Sequence, residues 1–156
     1  MDQSRIERLL NDLKEPDADV RDRASAMLWQ LWFHQKGVYG FQQLMQAQSL
    51  LELGQVIQAE ALLSDIVQAQ PDFAEAWNRR AVLHYTQANH WRAIADCQKV
   101  IHLLPYHFGA LHGLGLCHSA VGNYTAAIQA FRQALEIQPY AVANQRMILE
   151  CTAKLG

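Results

Sequence analysis

The chain has 156 residues, of which 51% are hydrophobic and 18% are charged, and its formal net charge is −2. This composition is typical of one globular domain and excludes an extended disordered chain. The basic residues are few and dispersed, so the positive field that gathers nucleic-acid phosphates is missing.

The cysteines and the apolar segments indicate the compartment. Cys97, Cys117 and Cys151 are odd in number and lack paired spacing, which argues against a disulfide framework. The N-terminus has no apolar signal core, and the most apolar stretch, residues 26–33, is too short to span a bilayer. We therefore expect a soluble cytoplasmic protein in a reducing compartment, without membrane insertion.

Residues 1–39 are predicted to form a pair of helices. Apolar residues recur at helical spacing from Ile6 to Leu13, and a second helix is expected over residues 18–34, after Pro16. The second helix carries an aromatic cluster of Trp29, Trp32 and Phe33. We interpret the pair as an N-terminal helical cap over the open face of the segment that follows, with this cluster as its core. The alternative is that the cluster is partly exposed and forms a second docking face or a dimer contact.

The middle of the chain is periodic. Pro71, Pro105 and Pro139 are spaced by 105 − 71 = 34 and 139 − 105 = 34 residues, which divides the chain into units 40–73, 74–107 and 108–141. Within each unit, positions 8 and 20 hold only alanine or glycine, and position 32 holds the proline. Two antiparallel helices, A and B, explain this pattern, because small residues let the helices approach and proline ends helix B. The small residues are Ala47, Ala81, Gly115, Ala59, Ala93 and Ala127.

The third unit identifies a family. Leu114, Gly115, Tyr124, Ala127, Phe131 and Pro139 stand where the tetratricopeptide-repeat (TPR) pattern has its characteristic residues. The resemblance covers residues 40–141 and implies an all-α α-solenoid. This solenoid would comprise three TPR units between the N-terminal pair and a C-terminal capping helix at 142–156, all within one domain. We expect the chain to be a complete small protein. Departures occur at Arg80, at Cys97, and at Gln43 and Gln46 of the first unit.

The resemblance also implies where a partner would bind. In TPR proteins the A helices line a concave groove that takes an extended peptide, a helix or a folded surface of another protein. We expect Arg79, flanked by Asn78 and Tyr85, to form the polar centre of this groove, between apolar walls. The candidate partner-binding residues are Phe41, Met45, Gln48, Asn78, Arg79, Val82, Tyr85, His112 and Leu116.

One TPR specificity is not expected. The carboxylate clamp that holds the C-terminal tail of chaperones has Lys, Asn and Arg side chains at five groove positions. None of the five matches here, since they hold Leu44, Gln48, Arg79, Gly109 and Gly113.

No catalytic, metal or cofactor site is expected. Gly113-Leu114-Gly115 lacks the third glycine and the preceding strand of a phosphate loop. His112 and His118 are six residues apart and so lie on different faces of a helix, and Cys97 and Cys117 read as inert core thiols. The sequence thus predicts a non-catalytic adaptor or assembly factor. The alternatives are a scaffold that self-associates through the N-terminal pair or the groove, as a homo-oligomer, and, remotely, an RNA-binding helical repeat.

Overall fold

In the computed structural model, which describes residues 2–156, every regular element is an α-helix. Helices α3 to α8 form three antiparallel pairs that stack in chain order, and α9 packs on α8. The predicted all-α class is confirmed. The bounds are α1 Gln3–Asp12, α2 Ala18–Phe33, α3 Gly37–Glu52, α4 Val56–Ala69, α5 Ala74–Thr86, α6 His90–Leu103, α7 Phe108–Ala120, α8 Tyr124–Ile137 and α9 Val142–Leu155.

The periodic residues fix the helix ends and the spacing within each pair. Helices α4, α6 and α8 each end two residues before a proline of the 34-residue period. Ala59, Ala93 and Ala127 are completely buried, as expected where two helices approach closely. At Gly115 an added Cβ would lie 2.5 Å from Cε1 of Phe131, so only glycine allows this approach. The packing role assigned to the small residues is confirmed.

The starts of α1 and α5 are stabilised in different ways. The carboxylate of Asp2 accepts hydrogen bonds from backbone N–H groups in the first turn of α1, so Asp2 caps this helix and Ser4 lies inside it. At α5 the cap position belongs to Phe73, which has no capping side chain. Asp72 forms an ion pair with Lys36 at 2.7 Å, and this pair ties the turn between α2 and α3 to the turn before α5.

The N-terminal pair does not cover the open face of the first unit, and the expectation of such a cap was wrong. Helix α2 runs across the three turns that precede α5, α7 and α9. Arg21 lies over the Tyr140 ring at 4.1 Å, and the Trp32 ring stacks on His107 at 4.0 Å. The 12 residue steps from Arg21 to Phe33 span about 18 Å of helix, which is the length needed to cross neighbouring turns.

The open face of the first unit is mixed, because Val38, Tyr39 and Leu53 lie at helical spacing from polar residues there and are 71%, 69% and 72% exposed. Positions 3 and 10 of helix A face the preceding unit, and in the first unit they hold Gln42 and Ser49, which are both exposed. Water can solvate these side chains, so no helix has to cover them. The same positions in the other units are apolar and buried, and hold Ala76, Leu83, Ala110 and Cys117.

The C-terminal helix α9 packs on α8 through Cys151, which is 1% exposed, and through the half-buried Met147 and Ile148. Two neighbouring residues at the start of α9 differ sharply in burial. Ala143 is exposed, whereas Asn144 is 4% exposed and its Oδ1 lies 2.6 Å from Nδ1 of His112. A polar contact therefore anchors the first turn of α9 to α7.

Candidate functional site

A buried carboxylate organises the first turns of α5 and α7. Glu75 is completely buried, and its Oε1 lies 2.9 Å from Nε2 of His107. Nδ1 of His107 accepts the backbone N–H of Ala110, so the ring proton sits on Nε2 and is donated to Glu75. Asn78 donates to Oε2 at 3.0 Å, and Nε of Arg79 lies 3.0 Å from the same oxygen. The negative charge is thus satisfied within the chain.

Helix α2 covers this cluster with its aromatic side chains. Trp32 stacks on His107, and Trp29 meets the same imidazole edge-on at 5.3 Å. An added Cβ at Gly109 would lie 2.5 Å from Trp29, so the two helices approach closely there. The Phe33 ring lies 5.4 Å from the Arg79 guanidinium. Helix α2 therefore occupies the concave side over the first turns of the A helices.

The position of Trp32 decides between the two interpretations of the aromatic cluster. Its side chain is 0% exposed, so the interpretation as core is confirmed for this residue. Trp29 and Phe33 are half-buried against the same surface. Self-association stays a prediction, but its surface cannot include the buried Trp32 ring.

Beyond α2, the later turns of α5 and α7 leave a cavity of about 200 Å³, which we call the open groove. Val82 and Tyr85 stand at its edge with 43% and 37% of their surface exposed. Carbon and sulfur atoms form most of its lining, and none of the lining residues is Asp, Glu, Lys or Arg. Its walls and floor include Val82, Tyr85, Leu116, Gly113, Cys97 and Cys117.

The structure brings together five of the nine candidate residues. Phe41 lies apart and stacks on His34 at 4.3 Å, Met45 packs against the core of the first unit, and Gln48 donates to Glu52 at 3.3 Å. The ninth candidate, Arg79, lies beneath α2. The five residues that line the open groove are Asn78, Val82, Tyr85, His112 and Leu116.

The expected polar centre is largely engaged within the chain. Asn78 is only 3% exposed, and the Arg79 side chain, 26% exposed, is paired with Glu75. Sequence reasoning missed Glu75 as the organising residue, although its position four residues before Arg79 is the spacing of a helical ion pair. No sequence signal pointed to His107, because it is 32 residues away from Glu75 along the chain.

The departure at position 7 of the second unit has a structural explanation. Arg80 binds Asp96 through two hydrogen bonds of 2.8 and 2.9 Å, and Nε2 of His84 lies 3.7 Å from the same carboxylate. The bond to Asp96 raises the pKa of Arg80, whereas burial lowers the pKa of His84. This cluster joins α5 to α6 away from the open groove.

Within residues 2–156, no group of three or more His, Cys, Asp and Glu side chains is placed to hold a metal ion. Nor does any helix of the described chain have the length and apolarity required to cross a membrane.

Family models of the tetratricopeptide repeat match residues 44–108 and 109–140 of this chain. The chain belongs to the tetratricopeptide-repeat family. A TPR repeat-containing protein of Rhizobium etli is 29% identical over 153 residues, which cover 97% of this chain and 75% of that protein. Five further relatives match over only 6% to 24% of their own length.

Solved structures share the fold. The crystal structure of MamA protein superposes with a TM-score of 0.70 at 20% identity, covering 98% of this chain and 84% of that one. The first TPR of Spaghetti (RPAP3), bound to the HSP90 peptide SRMEEVD, gives a TM-score of 0.70 at 16% identity, covering 72% and 90% of the two chains. At these identities the similarity establishes the helical architecture.

Proposed function

We propose that this TPR chain is a non-catalytic protein-interaction module, an adaptor or assembly factor, that holds a segment of another protein in the open groove. The observation that carries the proposal is the exposure of Val82 and Tyr85 beside a cavity lined mainly by apolar atoms. Apolar side chains grouped in a concavity are typical of binding surfaces, whereas single exposed ones are common everywhere.

Helix α2 limits where the segment can lie. Phe33 of α2 contacts Phe41 of α3 and the Arg79 guanidinium of α5. Trp29 approaches Gly109 of α7, and Trp32 stacks on His107 just before that helix. The open groove lies mainly along the later turns of α5 and α7. We therefore expect the groove to take a short segment rather than a chain that follows its full length.

The electrostatics favour an uncharged segment. The TPR domain of Spaghetti (RPAP3) binds an acidic peptide, which supports peptide binding as a use of this fold. In the present chain the one arginine near the groove already neutralises Glu75, and the cavity lining has no charged side chain apart from histidine. An acidic tail would lose its hydration here without gaining a free cation.

The test is a capture experiment with matched variants. Immobilised wild-type chain, Val82→Glu and Ala61→Glu are incubated with lysate of the cell that encodes the protein, and bound proteins are read by mass spectrometry. Val82 borders the open groove, whereas Ala61 lies on the exposed face of α4. Both changes add one carboxylate at an exposed helix position, one at the open groove and one away from it. Arg79→Glu is a poorer choice because it sets two carboxylates together at Glu75.

We expect a specific protein that is held by the wild type and by Ala61→Glu and is lost from Val82→Glu. Buried carboxylates are costly, so the loss should correspond to about 2 kcal/mol or more of binding free energy. A protein held equally by all three chains would place the binding surface elsewhere and contradict the proposal.

A further inference from the structure

Two cysteines meet at the floor of the open groove. Cys97 of α6 and Cys117 of α7 both line the cavity, and their residues are 2% and 1% exposed. The Cβ position at Gly113 lies 3.5 Å from Sγ of Cys97. Cys117 is four residues after Gly113 and therefore lies on the same face of α7. The Cys97 thiol thus packs against the face of α7 that carries Cys117.

The cavity gives a small oxidant access to this pair. Because Gly113 has no side chain, the space above Cys97 stays open to the cavity. The volume of about 200 Å³ is several times the roughly 30 Å³ that a water molecule takes in the liquid. Hydrogen peroxide is only slightly larger than water and can enter, whereas a bulky oxidant cannot reach sulfur atoms this deeply buried.

We propose that Cys97 and Cys117 form an oxidisable dithiol, which hydrogen peroxide converts into an intramolecular disulfide at the floor of the open groove. The thiolate of Cys117 attacks one peroxide oxygen, the O–O bond breaks, and hydroxide leaves and takes up the thiol proton as water. The resulting sulfenic acid is then attacked by the Cys97 sulfur. The S–O bond breaks, a second water leaves with the Cys97 proton, and the S–S bond forms. The two sulfur atoms lose two electrons, and one peroxide is reduced to two waters.

The order of the two steps follows from the asymmetry of the pair. Hydrogen bonding from the Cys97 thiol lowers the pKa of Cys117. The contact with Cys117, together with burial, raises the pKa of Cys97 far above its usual range. Because the thiolate is the nucleophile, Cys117 reacts with peroxide and Cys97 resolves the sulfenic acid. The disulfide draws the sulfur atoms to about 2.05 Å, so the oxidised chain has a changed groove floor.

The third cysteine serves as an internal control. Cys151 lies on α9, where its Sγ is 3.8 Å from Oγ of Ser119, and it does not line the open groove. Trypsin cuts after Arg92, Lys99 and Arg132, so the peptides 93–99 and 100–132 carry Cys97 and Cys117 separately. A disulfide between them therefore joins two peptides that are otherwise released apart.

The test treats the reduced full-length chain with hydrogen peroxide, removes the oxidant with catalase, and alkylates the remaining thiols in denaturant before tryptic mapping. We expect Cys151 to be alkylated and peptides 93–99 and 100–132 to be joined until dithiothreitol separates them. Cys97→Ala should instead stop at a Cys117 sulfenic acid that dimedone traps. The same treatment in urea should lose the selectivity, because the pair is no longer held together.

Three alkylated cysteines in the treated wild type would overturn the proposal, as would joined peptides that contain Cys151 or that come from two chains. This part of the test needs no variant, so a poorly folded Cys97→Ala would not remove it. Circular dichroism before treatment checks that the variant retains the helical fold.

Discussion

Among the glycines of helix α7, Gly113 and Gly115 lie only two residues apart, and their replacement by alanine should have opposite effects. At Gly113 the nearest atom to an added Cβ is Sγ of Cys97, at an ordinary contact distance of 3.5 Å. At Gly115 an added Cβ would lie 2.5 Å from the ring of Phe131. Alanine is favoured over glycine within a helix by about 0.5–1 kcal/mol. Gly113→Ala should therefore raise the free energy of unfolding by about that amount.

The same helical gain is outweighed at Gly115. Phe131 is completely buried between α7, α8 and α9, so its ring cannot move away from the new methyl group. Overpacking of this kind costs about 1–3 kcal/mol. Because both variants sit in one helix, the propensity gain cancels in their difference, and Gly115→Ala should be about 1–3 kcal/mol less stable than Gly113→Ala. Gly115→Leu, with its larger side chain, should be destabilised further.

Urea unfolding followed by the helical circular dichroism signal measures this difference. In thermal unfolding, 1 kcal/mol corresponds to about 2–4 °C for a chain of this size, so the two melting temperatures should differ by roughly 2–12 °C. Equal stabilities, or a more stable Gly115→Ala, would mean that α7 and α8 are not in the register described.

Three further substitutions test the remaining contacts. Arg80→Ala leaves the Asp96 carboxylate buried without its bidentate partner and should lower the free energy of unfolding by about 3–5 kcal/mol. Urea titration measures this loss, and a loss under about 1 kcal/mol would argue against a buried pair. Trp32→Ala empties a completely buried site over His107 and should cost about 3–5 kcal/mol, whereas near-neutral behaviour would show that α2 is not docked on the turns. Burial lowers the pKa of His118, so the unfolded chain binds the proton more readily and stability should fall as pH drops below about 6.5. His118→Tyr should reduce this decline between about pH 7.5 and about pH 5.5, and an unchanged slope would contradict the assignment.

The repeat was predictable because its residues act locally. Each of the prolines Pro71, Pro105 and Pro139 follows the end of a helix. Alanine or glycine at positions 8 and 20 is required by close packing against the other helix of the same unit. The 34-residue period and the residue types at these positions were therefore sufficient to predict helices α3 to α8. The C-terminal helix predicted at 142–156 is present as α9.

The placement of α2 was not predictable in the same way. The aromatic pattern of Trp29 and Trp32 shows that the helix has an apolar face, but not which distant surface that face meets. The polar residues Gln42 and Ser49 are the signal that could have excluded a cap on the first unit. The groove residues share this difficulty, since the availability of Arg79 depends on Glu75, which contacts His107 from 32 residues along the chain.

The central claim is that a partner lies in the open groove, and site-specific photocrosslinking tests it most directly. The crosslinking amino acid p-benzoylphenylalanine is placed at Val82 in the groove, at Ala61 on the exposed face of α4, and at the exposed Gln30 of α2. Each of the three crosslinking variants is bound to the partner that the wild type captures, and the complex is then irradiated. An adduct with the partner from position 82, and none from positions 61 and 30, is the result expected. An adduct from position 61 or 30 without one from position 82 would show that the partner docks outside the open groove.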